Sequence, residues 1–143
     1  MGFSFDMIVN VNVLAFRIQP NKDLKNELEH FIYENNISSG FVVTCVGSLR
    51  TVNIRMAGAK PEAQDIRKLE GHFEIVSLVG TLSRAGSHLH ISVSDSEGRV
   101  TGGHLKEGSI VATTAEVVVG YDPDVLFERE FDESTGFEEL VVK

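Results

Sequence analysis

The sequence predicts an α+β fold, a single domain over residues 1–143 built on a mostly antiparallel sheet of about seven strands with one main amphipathic helix. Three observations carry this. Only the segment from Asn21 to Asn35 places apolar residues at helical offsets. Most of the remaining chain divides into extended runs of strand composition, punctuated by Gly and Pro. Finally, 143 residues with 42% hydrophobic content suffice for one compact core, and no repeat, low-complexity run or linker divides them.

The first element runs from Met7 to Ile18, where Val9, Val11, Val13 and Ala15 alternate with Asn10, Asn12, Leu14 and Phe16, so both faces of the strand are partly apolar. Pro20 ends it and Asn21 is the expected helix cap. Leu24, Leu28, Phe31 and Ile32 then recur on one helical stripe, with His30 outside it as a solvated residue. Gly40 restarts extended structure. Phe41 to Arg50 and Thr51 to Gly58 read as two strands, and Cys45 within Phe41-Val-Val-Thr-Cys-Val46 as an inert core thiol. Gly58-Ala-Lys-Pro-Glu-Ala-Gln64 is a loop by its Gly and Pro. Phe73 to Leu82, Ser87 to Ser94, Arg99 to Leu105 and Ile110 to Val119 are further strands. In the tail, Val125 to Phe131 adds one more, and Gly136 to Val142 is expected either to close the sheet or to pack on a neighbouring subunit.

Within this frame, three of the five histidines fall in one predicted hairpin. Successive strand side chains alternate faces and rise about 3.3 Å, so His88 and His90 point the same way, roughly 7 Å apart at Cα. Leu89, Ile91 and Val93 form the apolar face, and His88, His90, Ser92 and Ser94 the polar one. A three-residue loop Ser96-Glu97-Gly98, with Gly98 left-handed, pairs Asp95 with Arg99. Counting back sets His90 opposite His104 and makes His88 its diagonal neighbour. Gly102 and Gly103 fit a bend or a close backbone approach. Three neutral imidazoles suit zinc best, with other divalent transition metals compatible, and leave a fourth position for water or a ligand. The bland alternative is a set of solvated surface histidines.

Two acids stand near this hairpin in the sequence. Glu74 interrupts the apolar run Phe73, Ile75, Val76, Leu78, Val79, and a carboxylate there needs a partner. It is the candidate catalytic proton-transfer residue; the alternative is an outward-facing residue paired with Arg50 or Arg55. Asp95 sits at the hairpin turn. His72 reads as exposed.

Thirteen basic residues against 21 acidic give a net charge of −8, which repels phosphate backbones and disfavours DNA as a partner. No nucleotide-binding glycine motif, phosphate loop, paired-cysteine zinc ribbon or nucleophile elbow is present. No apolar run reaches the 18 or so residues of a membrane span, no targeting segment is evident, and the lone Cys45 suits a reducing cytoplasm.

The run Gly71-His-Phe-Glu-Ile-Val-Ser-Leu-Val-Gly-Thr-Leu82, followed by His88-Leu-His90 and Gly102-Gly-His-Leu105 at their spacing, closely resembles the plants-and-prokaryotes-conserved (PPC) domain, also called DUF296, over essentially the whole chain. The resemblance implies a small α+β domain, a homotrimer, with zinc ligands at His88, His90 and His104 as in prokaryotic members. Plant members carry a DNA-gripping Arg-Gly-Arg-Pro hook ahead of the domain, and this sequence has none. Three roles follow as expectations. The first is a metal-dependent enzyme or small-molecule binder, the second a DNA-associated regulator, and the third a structural module whose ion pins a hairpin.

Overall fold

The computed structural model describes residues 10–143. Its elements are β1 (Asn12–Ile18), α1 (Leu24–Glu34), β2 (Gly40–Arg55), β3 (Ile66–Ser83), β4 (Gly86–Ser94), β5 (Val100–Leu105), β6 (Ile110–Tyr121), β7 (Phe127–Asp132) and β8 (Phe137–Val142). Six strands form an antiparallel sheet in the order β1-β6-β2-β3-β4-β5, and β7 and β8 form a separate hairpin. The α+β prediction therefore holds. Met7 to Val9, expected to begin the first strand, lie outside the described residues.

The helix begins later than its sequence pattern suggested. Asn21 does not cap it: its backbone is left-handed at φ 69°, and its side chain accepts a hydrogen bond from Arg50. Asp23 is the cap, accepting from the Asn26 amide at 3.1 Å and from the Gly108 amide at 2.6 Å. Its negative charge also complements the helix N-terminus. Leu24, Leu28 and Ile32 are buried on the predicted stripe, while Phe31 stacks on Phe16 at the edge of the core. Burial of each such aliphatic side chain contributes roughly 1.5–3 kcal/mol, which holds α1 to one face of the sheet.

Two predicted strands, Phe41 to Arg50 and Thr51 to Gly58, are one continuous strand, β2. It absorbs the change of direction in register shifts against β6 at Val42/Thr44, Gly47/Leu49 and Leu49/Thr51. These bulges turn the far end of β2 onto β5, where Ile54 pairs with Leu105 and Arg55 with His104. The β2-β3-β4-β5 part of the sheet thus closes on itself at that end. The tail strand 137–142 does not close the large sheet; it pairs along one edge with β7 in the separate hairpin. Cys45 is buried as expected, and burial pushes its thiol up to about 11.

Candidate metal centre

The hairpin turn forms as the sequence requires. Asp95 N–H donates to Arg99 O at 2.9 Å, Gly98 N–H donates to Asp95 O at 3.0 Å, and Gly98 has φ 78°. Asp95 serves this turn: its carboxylate accepts from the Glu97 and Arg99 amides and from Arg99 Nε. The Arg99 guanidinium, and then the Glu97 amide, hold that carboxyl below its usual range. With the turn fixed, Ser94 pairs with Val100 and His90 with His104, so the predicted register is the observed one.

One donor nitrogen from each of His88, His90 and His104 lies within 4.8 Å of the others. The His88 and His90 Nε2 atoms are 3.2 Å apart. Two nitrogens bound tetrahedrally to one zinc at about 2.0–2.1 Å would stand about 3.3 Å apart, so this spacing suits a shared ion. His104 Nδ1 is buried with no hydrogen-bond partner, a polar atom that a further ligand or water must satisfy. Burial, then the charges of Arg55 and the neighbouring histidines, holds His104 down at about 4. Burial followed by His90 lowers His88 as well. Both rings are therefore neutral at pH 7, the form that donates to a metal.

Four strands of the large sheet and the β7–β8 hairpin supply the surroundings. Arg55, His104, His90 and Val79 form one cross-strand row over β2, β5, β4 and β3. The row is tight. A Cβ at Gly103 would stand 2.6 Å from Arg55 O, and one at Gly80 would stand 1.9 Å from His88 O, so these glycines permit the close strand approach. Beside the row lies a cavity of about 540 Å³, whose walls include His88, His104, Arg55, Arg129, Phe137 and Glu139. Arg129 reaches it from β7, with Nη2 donating to Thr81 Oγ1 at 2.8 Å, and Thr81 is the cross-strand partner of His88. Arg55 lies over the Phe137 ring, 5.4 Å from its centroid. A second cavity of about 330 Å³, on the His90 side, is bordered by Ala57 and by Gly58 and Ala59 of the predicted loop.

Glu74 is exposed on β3 and pairs with Ser94, four residues along β4 from His90, or about 13 Å along the strand. It lines neither of these cavities, and neither Arg50 nor Arg55 pairs with it. The carboxylates that do border the larger cavity are Glu138 and Glu139. His30 and His72 are exposed, as expected. Arg129, Phe137 and Glu139 were not legible as site residues, because their approach depends on how the β7–β8 hairpin folds back. No local spacing encodes that.

The model of the Plants and Prokaryotes Conserved (PCC) domain matches residues 9–121. The chain belongs to this family. The sequence resemblance is thereby borne out, and the β7–β8 hairpin lies beyond the PCC match. Among curated relatives, the bifunctional protein GlmU of Synechococcus sp. strain JA-3-3Ab is 38% identical over 134 residues. Those residues are 94% of this chain but 21% of that protein, so the PCC chain spans about a fifth of the curated relatives it matches. Several solved structures resemble it. A hypothetical protein of Salmonella enterica is 34% identical, with TM-score 0.89 and 96% of each chain covered. A metal-containing protein of Archaeoglobus fulgidus is 27% identical, with TM-score 0.81, covering 98% of this chain and 99% of that one. A Bacteroides thetaiotaomicron protein named as a candidate DNA-binding protein is 25% identical, with TM-score 0.79 and 96% of each chain covered. No helix among the described residues is long and apolar enough to cross a membrane.

Proposed function

We propose that this PCC chain binds a divalent transition metal, zinc foremost, through His88, His90 and His104, and presents the open fourth position to a small molecule in the adjoining cavity. The observation that carries the reading is the convergence of the His88, His90 and His104 imidazoles, with His88 and His104 at the wall of a 540 Å³ cavity. The metal content named for the Archaeoglobus protein supports it. Closed structural zinc sites use four protein ligands, whereas three with an open position suit ligand binding or catalysis. A bound ion would supply Lewis acidity, or a water of lowered pKa. The protein's own part is to fix the donors: the Asp95–Arg99 turn sets the register, and Gly80 and Gly103 let the strands close. Glu139, whose charge favours protonation of His88, is a carboxylate bordering the same cavity.

Elemental mass spectrometry of untagged protein tests this directly. Near-stoichiometric metal in the wild type and its loss in His88→Ala, His90→Ala and His104→Ala are expected. A wild type that takes up no metal even on reconstitution would sink the proposal. A DNA-associated role has the name of the Bacteroides relative behind it but not the electrostatics, since a net charge of −8 repels a phosphate backbone.

We further propose that the chain self-associates, with a trimer expected from its family. Val43 and Val46 on β2 and Val76 and Val79 on β3 are exposed at 52, 58, 57 and 54%, an uncovered apolar surface beside the histidines. Light scattering behind a sizing column should give a multiple of 15.7 kDa, and a monomer at micromolar concentration would refute it. The lone buried thiol agrees with a reducing, cytoplasmic setting.

A further inference from the structure

We propose that the cavity beside the histidines takes a small organic acid, whose carboxylate is bound by Arg55 and Arg129. The proposal names the ligand class for the metal site described above, and it rests on that reading only for the ligand's second end; the arginines need no ion.

Both arginines are half-buried, and neither forms an ion pair among the described residues. Arg55 Nε is buried with no hydrogen-bond partner, and the neighbouring Phe137 ring, its centroid 5.4 Å from Arg55 Cζ, offers no counter-charge. Arg129 makes a single side-chain hydrogen bond, to Thr81. Carboxylates are not scarce, since the chain has 21 of them, and the exposed Arg67 and Arg99 are both paired. A guanidinium withdrawn from water without a counter-charge is costly, so two of them at one cavity wall mark a place where an anion completes the structure.

The rest of the cavity narrows the class. Its volume suits a metabolite-sized ligand. Phe137 and Ala85 offer an apolar wall for a short carbon body. Glu138 and Glu139 border the same space, which penalises a phosphate dianion more than a carboxylate monoanion. Glu139 is itself engaged, accepting from Thr135 Oγ1 at 2.9 Å. The planar fork of arginine matches a carboxylate with two parallel hydrogen bonds. An acid bound this way faces the histidines with its other end, where an oxygen could occupy the open metal position.

The test is calorimetric titration at constant ionic strength with lactate, succinate and inorganic phosphate as probes. It uses wild-type protein with and without zinc, Arg55→Lys, Arg129→Lys, Arg129→Ala and the metal-free His90→Ala variant. Saturable binding of at least one carboxylate is expected, weakened about tenfold or more in Arg129→Ala. Each lysine variant should be intermediate, because it keeps the charge and the aliphatic stem but loses the fork. Melting temperatures of the lysine variants serve as the folding control. Weaker but arginine-dependent binding to His90→Ala would separate this proposal from the fate of the metal reading. Preference for phosphate over both carboxylates, no saturable binding at millimolar probe, or equal affinity in the arginine variants would each overturn it.

Discussion

The β4–β5 and β7–β8 hairpins border the same cavity, yet they are held in place by different means. The first is part of the core: Leu89, Ile91, Val93 and Leu105 are each 2% exposed or less, and the histidines ride on the opposite face of that packed layer. The second contributes no buried hydrophobic residue, and its Phe131 and Leu140 are exposed. It is tied down by Phe127 N–H to Ser38 O, Arg129 to Thr81 and the Arg55–Phe137 cation–π contact. The donor triad thus sits on a scaffold that must unfold globally to move, whereas the proposed anion-binding wall rests on a few polar and aromatic contacts that can open locally.

This contrast can be broken by mutation. Ile91→Ala should cost about 2–5 kcal/mol in urea unfolding of the metal-free protein, since it empties a site in the sealed layer. Phe137→Ala should cost about 1 kcal/mol or less globally, because it removes a cation–π contact and partly exposed area. Amides of β7 and β8 should exchange with solvent faster than those of β4 and β5. Equal penalties for the two variants, or equal exchange, would show that both hairpins belong to one cooperative unit.

A further test works through pH. In the unfolded chain His104 takes up a proton near its ordinary 6.5, but in the fold only near 4. Over that window the unfolded state binds a proton that the folded state refuses, so stability falls as pH drops from about 6.5 to about 4 and gains nothing more above it. His88, shifted the same way, adds to the slope. The melting temperature of metal-free protein should therefore decline across this range, and less steeply in His104→Gln. An unchanged slope in that variant would mean that the fold tolerates a charged His104.

Several elements were legible because their determinants are local. Leu24, Leu28 and Ile32 recur at helical offsets and find the core together, and the strand alternation around His88 and His90 survives intact. The sequence does not single out the helix cap, because Asn21 and Asp23 are both good capping residues and the contact of Asp23 with the Gly108 amide, 85 residues away, favours Asp23. The single strand β2 looks like two strands in the sequence because its bulges against β6 resemble interruptions in a period-two pattern.

For the site, the sequence by itself determined the three histidines, their common face and the pairing of His90 with His104. A short turn fixes register, and register fixes which side chains meet. Tertiary structure alone decided what surrounds them. Arg55 arrives because the bulged β2 curls onto β5, and Arg129 because the tail hairpin folds back to Thr81, 48 residues earlier in the chain. Such encounters follow from the closure of the whole sheet and the packing of the tail against it, and no period of two or 3.6 residues carries that information.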